Sequence, residues 1–250
     1  MVYFVGAGAG DKELITVKGK RLLENADMII YAGSLVNAEL LEYAKEGCEI
    51  LNSAYMTLDD VSNAYKRAEK EGKTVVRLHT GDPSIFGAIR EQMDFLKKEG
   101  IEFECVPGVS SFLAAAAALK AEYTLPDVTQ TVILTRMEGR TPVPEREKIG
   151  LLASHGATMI IFLSVNMIER LKEELAPYYG EDCPVAVVYK ASWKDELIVK
   201  GTLSDIAQKV KEKGINKTAL VLVGRFLGDE YSLSKLYDKH FETEFRKAEK

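Results

Sequence analysis

The chain has 250 residues, 46% hydrophobic and 28% charged, with a formal net charge of −5. That length supports a sizeable core, as one large domain or two small ones, and the composition is that of a soluble globular protein. The acidic balance argues against general nucleic-acid binding, and no apolar run reaches the ~18 residues of a membrane span.

The first predicted strand, VYFV (2–5), runs straight into Gly6-Ala7-Gly8-Ala9-Gly10-Asp11, and with a strand from residue 2 no signal peptide is expected. MIIYA (28–32), TVVRLHT (74–80) and FECV (103–106) follow as further short apolar or β-branched strands. In 84–98, Ile85, Ile89, Met93 and Leu96 recur on one helical face. This rhythm predicts a mainly parallel sheet with helices packed on it. An alanine-rich helix is expected over 111–122, with Ser110 or Ser111 as its N-cap, and then a Pro126-containing linker. The second half offers TVILTR (131–136), TMIIFL (158–163), PVAVVYK (184–190), ELIVKGTL (196–203) and TALVLVG (218–224). PVAVVYK and ELIVKGTL are close enough for a hairpin through ASWKD, so a mixed sheet is expected. The fold class is therefore α/β in two domains, 1–120 and 121–250, closed by a charged tail over 229–250.

Two glycine loops invite chemistry. A dinucleotide site wants GxGxxG, but the third glycine position is Asp11, and MIIYAG lacks the acidic residue expected after the second strand. A phosphate loop wants GxxxxGK before Ser or Thr, and that lysine is missing. Asp11 is either a helix cap or a deterrent to phosphate. The second loop, HTGDPSIFG (79–87), has an equally simple structural reading, with Asp82 as N-cap and Pro83 at the first helical position. Loops after the carboxyl ends of parallel strands are also where open α/β sheets bind ligands. Backbone groups and carboxylates with no fixed cation suit a ligand with hydroxyls, an ammonium or a sulfonium. A third turn, VPGVSS (106–111), fits beside them. His79, His155 and His240 lack metal-ligand spacing, and Cys48, Cys105 and Cys183 form no CxxC pair, so no protein-bound metal is expected and the thiols read as reduced. No GxSxG elbow is present.

GAGAGDKELITVKG, HTGDPSIFG, VPGVSS, LPDVTQTVILTRMEGRTPVPE, VVYKASW and ALVLVG together resemble the tetrapyrrole (corrin/porphyrin) methyltransferases over about residues 2–228. TQTVILTRMEGRTPVP narrows the match to one branch of that family. The resemblance implies two α/β domains with a ligand cleft between them, S-adenosylmethionine as co-substrate, a tetrapyrrole substrate, a homodimer and a cytoplasmic location. Its cofactor contacts map to Ala9, Gly81, Asp82, Ile85, Ser110, Ser111, Leu163, Ala191 and Ala219. Family members commonly carry Pro where Ala9 stands, so this loop is expected to be more flexible while keeping its backbone contacts. A substrate rich in carboxylates needs cations, and the candidates are Lys18, Arg77, Arg136, Arg140 and Lys190. Another SAM-dependent tetrapyrrole C-methyltransferase, a nicotinamide-dependent oxidoreductase and a non-catalytic SAM- or tetrapyrrole-binding protein are the competing readings.

Overall fold

In the computed structural model, which describes residues 1–33 and 35–249, the chain forms two units. The first comprises Met1–Ala118 and Lys190–Leu197; the second comprises Leu119–Tyr189 and the chain from Ile198 onward. By chain order, residues 190–197 lie within the second half, yet they pack with the first unit.

The first unit runs β1 (Val2–Gly6), α1 (Val17–Asn25), β2 (Met28–Tyr31), β3 (Glu49–Asn52), α2 (Leu58–Lys70), β4 (Val75–His79), α3 (Arg90–Glu99), β5 (Phe103–Val106) and α4 (Ser111–Leu119). The sheet order is β3-β2-β4-β1-β5, and the recorded pairings are parallel. Alternation along each strand divides the core. Phe4, Met28, Ile30 and Val75 pack with Tyr65 of α2 and Leu96 of α3. Val5, Ile29, Val76 and Leu78 pack with Leu23 of α1. Local chemistry sets the helix ends. Thr16 accepts the Gly19 N–H at the start of α1, Thr57 and Asp60 form a capping box on α2, and Gly100 ends α3 at φ 70°.

Two expectations change here. The helix predicted from residue 84 begins only at Arg90, because Phe86 (φ 54°) and Ala88 (φ 49°) adopt left-handed backbone. The turn is also tight enough that a Cβ at Gly87 would meet the Pro83 carbonyl oxygen at 2.1 Å. Asp82 is therefore not the cap of that helix. The short β3, on the sheet edge, carries Glu49 and Asn52 and lacks the apolar run that marks the other strands.

The second unit contains β6 (Val132–Arg136), α5 (Ile149–Ala153), β7 (Thr158–Phe162), α6 (Ile168–Tyr179), β8 (Pro184–Tyr189), β9 (Leu197–Thr202), α7 (Ile206–Glu212) and β10 (Ala219–Val223). The order is β6-β7-β10-β8-β9. β6 and β7 are parallel, while β10 is antiparallel to both β7 and β8, so the sheet is mixed as expected. Met159, Ile161, Val185, Val187 and Val221 pack against Leu171 and Leu175 of α6 and Val210 of α7. The segment expected as a linker is anchored: Tyr123 is buried edge-on against Phe226 at 5.2 Å, and its carbonyl accepts the Thr158 hydroxyl at 3.0 Å.

Candidate functional site

Because β4, β1 and β5 are neighbours, their carboxyl-terminal loops meet. Gly8 and Gly81 exchange backbone hydrogen bonds, Gly81 N–H to Gly8 O at 2.9 Å and Gly8 N–H to Gly81 O at 3.3 Å. A Cβ on Gly6 would lie 2.5 Å from the Gly108 Cα, and one on Gly108 would lie 2.2 Å from the Gly81 carbonyl oxygen. Three chain turns thus pack backbone on backbone, and only glycine admits that approach. Gly8 (φ 81°) and Gly81 (φ 61°) are also left-handed. The quoted motifs contained Gly6, Gly8 and Gly108, but their mutual contact could not be read from local sequence.

Asp82 links the loops. Its Oδ1 accepts the Ser84 N–H at 2.9 Å and the Ser84 hydroxyl at 2.5 Å, and its Oδ2 accepts the Gly108 N–H at 2.8 Å. Burial pushes this carboxyl up, but the hydrogen bonds from Ser84 and Gly108 outweigh it, and its pKa is lowered. Ser110 is buried immediately before α4, with Ser111 as the first helical residue. Ile85 is half-buried, and its N–H reaches the Asp82 carbonyl. Ala9 is buried, and its carbonyl accepts the indole N–H of Trp193 at 3.1 Å. Ala191 is buried in the same first-unit segment. Asp11 accepts the Glu13 N–H at 2.9 Å, capping a short 3-10 turn.

His79 ends β4 at 4% exposure, beside the Phe4 ring, and its Nε2 is buried with no hydrogen-bond partner. Burial, with a smaller contribution from the Arg77 charge, lowers its pKa to about 3, so the imidazole is neutral at physiological pH.

In the second unit, one end of the sheet gathers the other expected positions. Arg136 pairs in register with Phe162, and Ala219 pairs with Tyr189. Extending the β10–β7 register by two residues puts Ala219 level with Leu163. Leu163 is 63% exposed and left-handed at φ 54°, so this end of the sheet presents an uncovered leucine on strained backbone. Ser164 is fully buried: it accepts the Met137 N–H at 2.9 Å and donates to the Phe162 carbonyl at 2.7 Å.

The expected substrate-binding cations differ in setting. Arg140 is exposed. Arg136 donates to the carbonyls of Met137, Thr141 and Pro142, clamping the loop after β6. Lys18 is exposed on α1 and pairs with Glu104. Lys190 pairs with Asp195 at 2.5 Å and lies over the Trp193 ring. Arg77 is the exception. It is 7% exposed and donates to Gln92 Oε1 at 3.3 Å and the Ile30 carbonyl at 3.1 Å, while Tyr65 donates to the same Gln92 oxygen at 2.7 Å. A substrate carboxylate would have to break this interior network to reach it. Among the described residues no group of three or more His, Cys, Asp or Glu could hold a metal ion, and no helix is long and apolar enough to cross a membrane.

Comparison with known proteins agrees with this architecture. The chain is 61% identical over 251 residues to the cobalt-precorrin-4 C(11)-methyltransferase of Methanocaldococcus jannaschii, covering 100% of this chain and 97% of that protein. Its fold matches the X-ray structure of a cobalamin biosynthetic enzyme, cobalt precorrin-4 methyltransferase, with a TM-score of 0.89 and 50% identity over 91% of this chain and 96% of the other. It also matches the uroporphyrin-III C-methyl transferase from Thermus thermophilus complexed with S-adenyl homocysteine, at a TM-score of 0.74 and 27% identity, covering 90% and 92% of the two chains. Residues 1–207 match the tetrapyrrole (corrin/porphyrin) methylases, and the chain belongs to that family.

Proposed function

We propose that the protein transfers a methyl group from S-adenosylmethionine to C11 of precorrin-4 or its cobalt form, a step of cobalamin biosynthesis. The observation that carries the donor assignment is the convergence of three glycine turns around an ionised Asp82. The turns 6–11, 80–89 and 107–111 hold no lysine or arginine. Such a site welcomes a positively charged sulfonium compound and disfavours a pyrophosphate. The substrate assignment is supported by the end-to-end similarity to proteins named for that reaction.

Ala9, Gly81, Asp82, Ile85, Ser110, Ser111 and Ala191 are the proposed donor-binding residues of the first unit; Leu163 and Ala219 are kept as contacts that the family resemblance implies. When bound, S-adenosylmethionine supplies an electrophilic methyl carbon and a thioether that departs neutral. The chain therefore needs no acid to protonate a leaving group. What its residues contribute is orientation: rigid backbone at Gly6, Gly81 and Gly108, with Asp82 fixed by three hydrogen bonds. Orientation of reacting groups is worth up to roughly 7–11 kcal/mol of barrier.

Arg140, Arg136, Lys190 and Lys18 are the proposed partners of the substrate carboxylates, and Arg77 is left out. The pairs at Lys18 and Lys190 involve partly exposed side chains. Such pairs are worth only ~0–1 kcal/mol, so an incoming carboxylate competes for these ammonium groups at little cost. A cytoplasmic homodimer completes the proposal. The deciding experiment is turnover with S-adenosylmethionine and cobalt-precorrin-4, with product mass and NMR. One methyl at C11 is expected. A methyl on another carbon would reassign the substrate position, and binding of S-adenosylhomocysteine without turnover would make this a binding protein.

A further inference from the structure

Gly10 is not explained by its backbone, since its φ is not among the left-handed values. Its reason is a side chain 183 residues away in sequence: a Cβ at Gly10 would lie 2.2 Å from Cδ1 and 2.3 Å from Nε1 of Trp193. The same indole donates to the Ala9 carbonyl at 3.1 Å. The Asp11 N–H donates to the Ser192 hydroxyl at 3.1 Å, and the Gly10 carbonyl accepts the Asn37 amide at 2.9 Å. The polar backbone from Ala9 to Asp11 is thus held by three side chains, two of them from residues 190–197.

That segment is itself built to hold one shape. The Trp193 N–H reaches the Lys190 carbonyl at 3.0 Å, the Glu196 N–H reaches the Trp193 carbonyl at 3.1 Å, and Glu196 accepts the Ser192 N–H at 2.7 Å. Lys190 (φ 47°) and Ser192 (φ 69°) take left-handed backbone without being glycine. Strain of this kind persists where the surroundings over-determine it, and it gathers at functional sites. Lys194 adds an ion pair to Glu39 at 2.6 Å.

We propose that Trp193 is a positioning residue for methyl-donor binding, acting through the Ala9 carbonyl and the flat face of Gly10 to keep the 9–11 turn in its binding conformation. This rests on the reading of that turn as part of the S-adenosylmethionine site. Trp193 is the one tryptophan in the sequence, so its emission reports on this contact.

The test titrates the intact protein with S-adenosylhomocysteine, following calorimetric heat and tryptophan emission together. In the wild type the two signals are expected to saturate at the same concentration. Trp193→Phe keeps a ring but loses the N–H, and affinity should fall roughly two- to tenfold, the worth of one neutral hydrogen bond. In turnover the loss should fall on the KM for S-adenosylmethionine rather than on kcat or on the KM for the tetrapyrrole. Gly10→Ala should weaken binding in the wild-type background and add nothing once Trp193→Ala has removed the clash, a non-additivity that marks direct contact. Unchanged affinity in both Trp193→Phe and Gly10→Ala, with a wild type that binds, would overturn the positioning role and leave the functional reading intact. A wild type that does not bind S-adenosylhomocysteine would overturn the functional reading, and this proposal with it.

Discussion

The carboxylate of Asp82 and the backbone N–H of Gly108 are 2.8 Å apart, and this bond ties the loop after β4 to the loop after β5. Gly108 is also the residue whose Cα bounds the space at Gly6. One acidic side chain therefore orders two of the three turns proposed to hold the methyl donor, while the third is held by Gly8 on Gly81.

Replacing Asp82 tests this link. Asp82→Ala removes the acceptor for both Gly108 and Ser84, and each charge-assisted bond is worth ~1.5–3 kcal/mol. Stability should fall with the loss of these bonds, and affinity for S-adenosylhomocysteine should drop at least about tenfold as the two turns lose their shared anchor. Since the folded pKa of Asp82 is lowered, its stabilising contribution is complete above its ordinary value of 3.8 and disappears as pH falls through the folded value. Calorimetric titration beside thermal melts checks both points; a fall in melting temperature with unchanged affinity would leave Asp82 only a brace.

Arg77→Ala should behave oppositely. It strips Gln92 and the Ile30 carbonyl of a donor and opens a void beneath α2 and α3. A loss of about 2–5 kcal/mol in unfolding free energy is expected, the usual cost of truncating a large buried side chain. The folded fraction should keep its KM for the tetrapyrrole. Urea melts and steady-state kinetics on the same preparation separate the two effects, and a raised KM in stable protein would return Arg77 to the substrate-binding set.

Arg136 and Arg140 should part company. Arg140→Ala is expected to raise the tetrapyrrole KM by roughly tenfold or more, equivalent to one charged hydrogen bond of ~1.5–3 kcal/mol, with stability and S-adenosylhomocysteine affinity unchanged. Arg136→Ala should also loosen the loop it clamps at Met137, Thr141 and Pro142, so its melting temperature falls as well. Kinetics like wild type in both variants would place carboxylate recognition elsewhere.

His79 gives stability a pH dependence. Its pKa is lowered from 6.5 to about 3 by burial and by Arg77. The unfolded chain therefore takes up a proton below pH 6.5 that the folded chain refuses until about pH 3. The stabilisation is full above pH 6.5 and is lost as pH falls through that window, with a limiting slope of about 1.4 kcal/mol per pH unit. Urea melts between neutral and acidic pH should show this slope, and it should flatten in His79→Phe. An equal slope in both proteins would mean that other groups carry it.

For the assembly, sedimentation equilibrium at low micromolar concentration should give a mass near twice the 27.7 kDa of one chain. A two-fold dimer uses one surface patch twice and needs more than ~1,000 Å² of buried area to be specific. A monomer that still turns over substrate would show that the dimer is not required.

By itself the sequence determined the α/β character, the parallel first sheet, the mixed second sheet and the motifs of the family. These are written in short-range patterns: short, mostly apolar strands of four to six residues, glycines at strand ends, and helix periodicity. It misplaced the start of α3 and missed β3, because left-handed turns at Phe86 and Ala88 and a half-polar edge strand break those patterns. Tertiary structure alone decided what the motif residues touch. Gly108 meets Asp82 across 26 positions, Arg77 turns inward to Gln92, and Trp193 reaches Ala9 across 184. Backbone propensity acts over a few neighbouring residues, whereas these partners are adjacent only because strand order places β4 beside β1 and β1 beside β5, and because the chain returns residues 190–197 to the first unit.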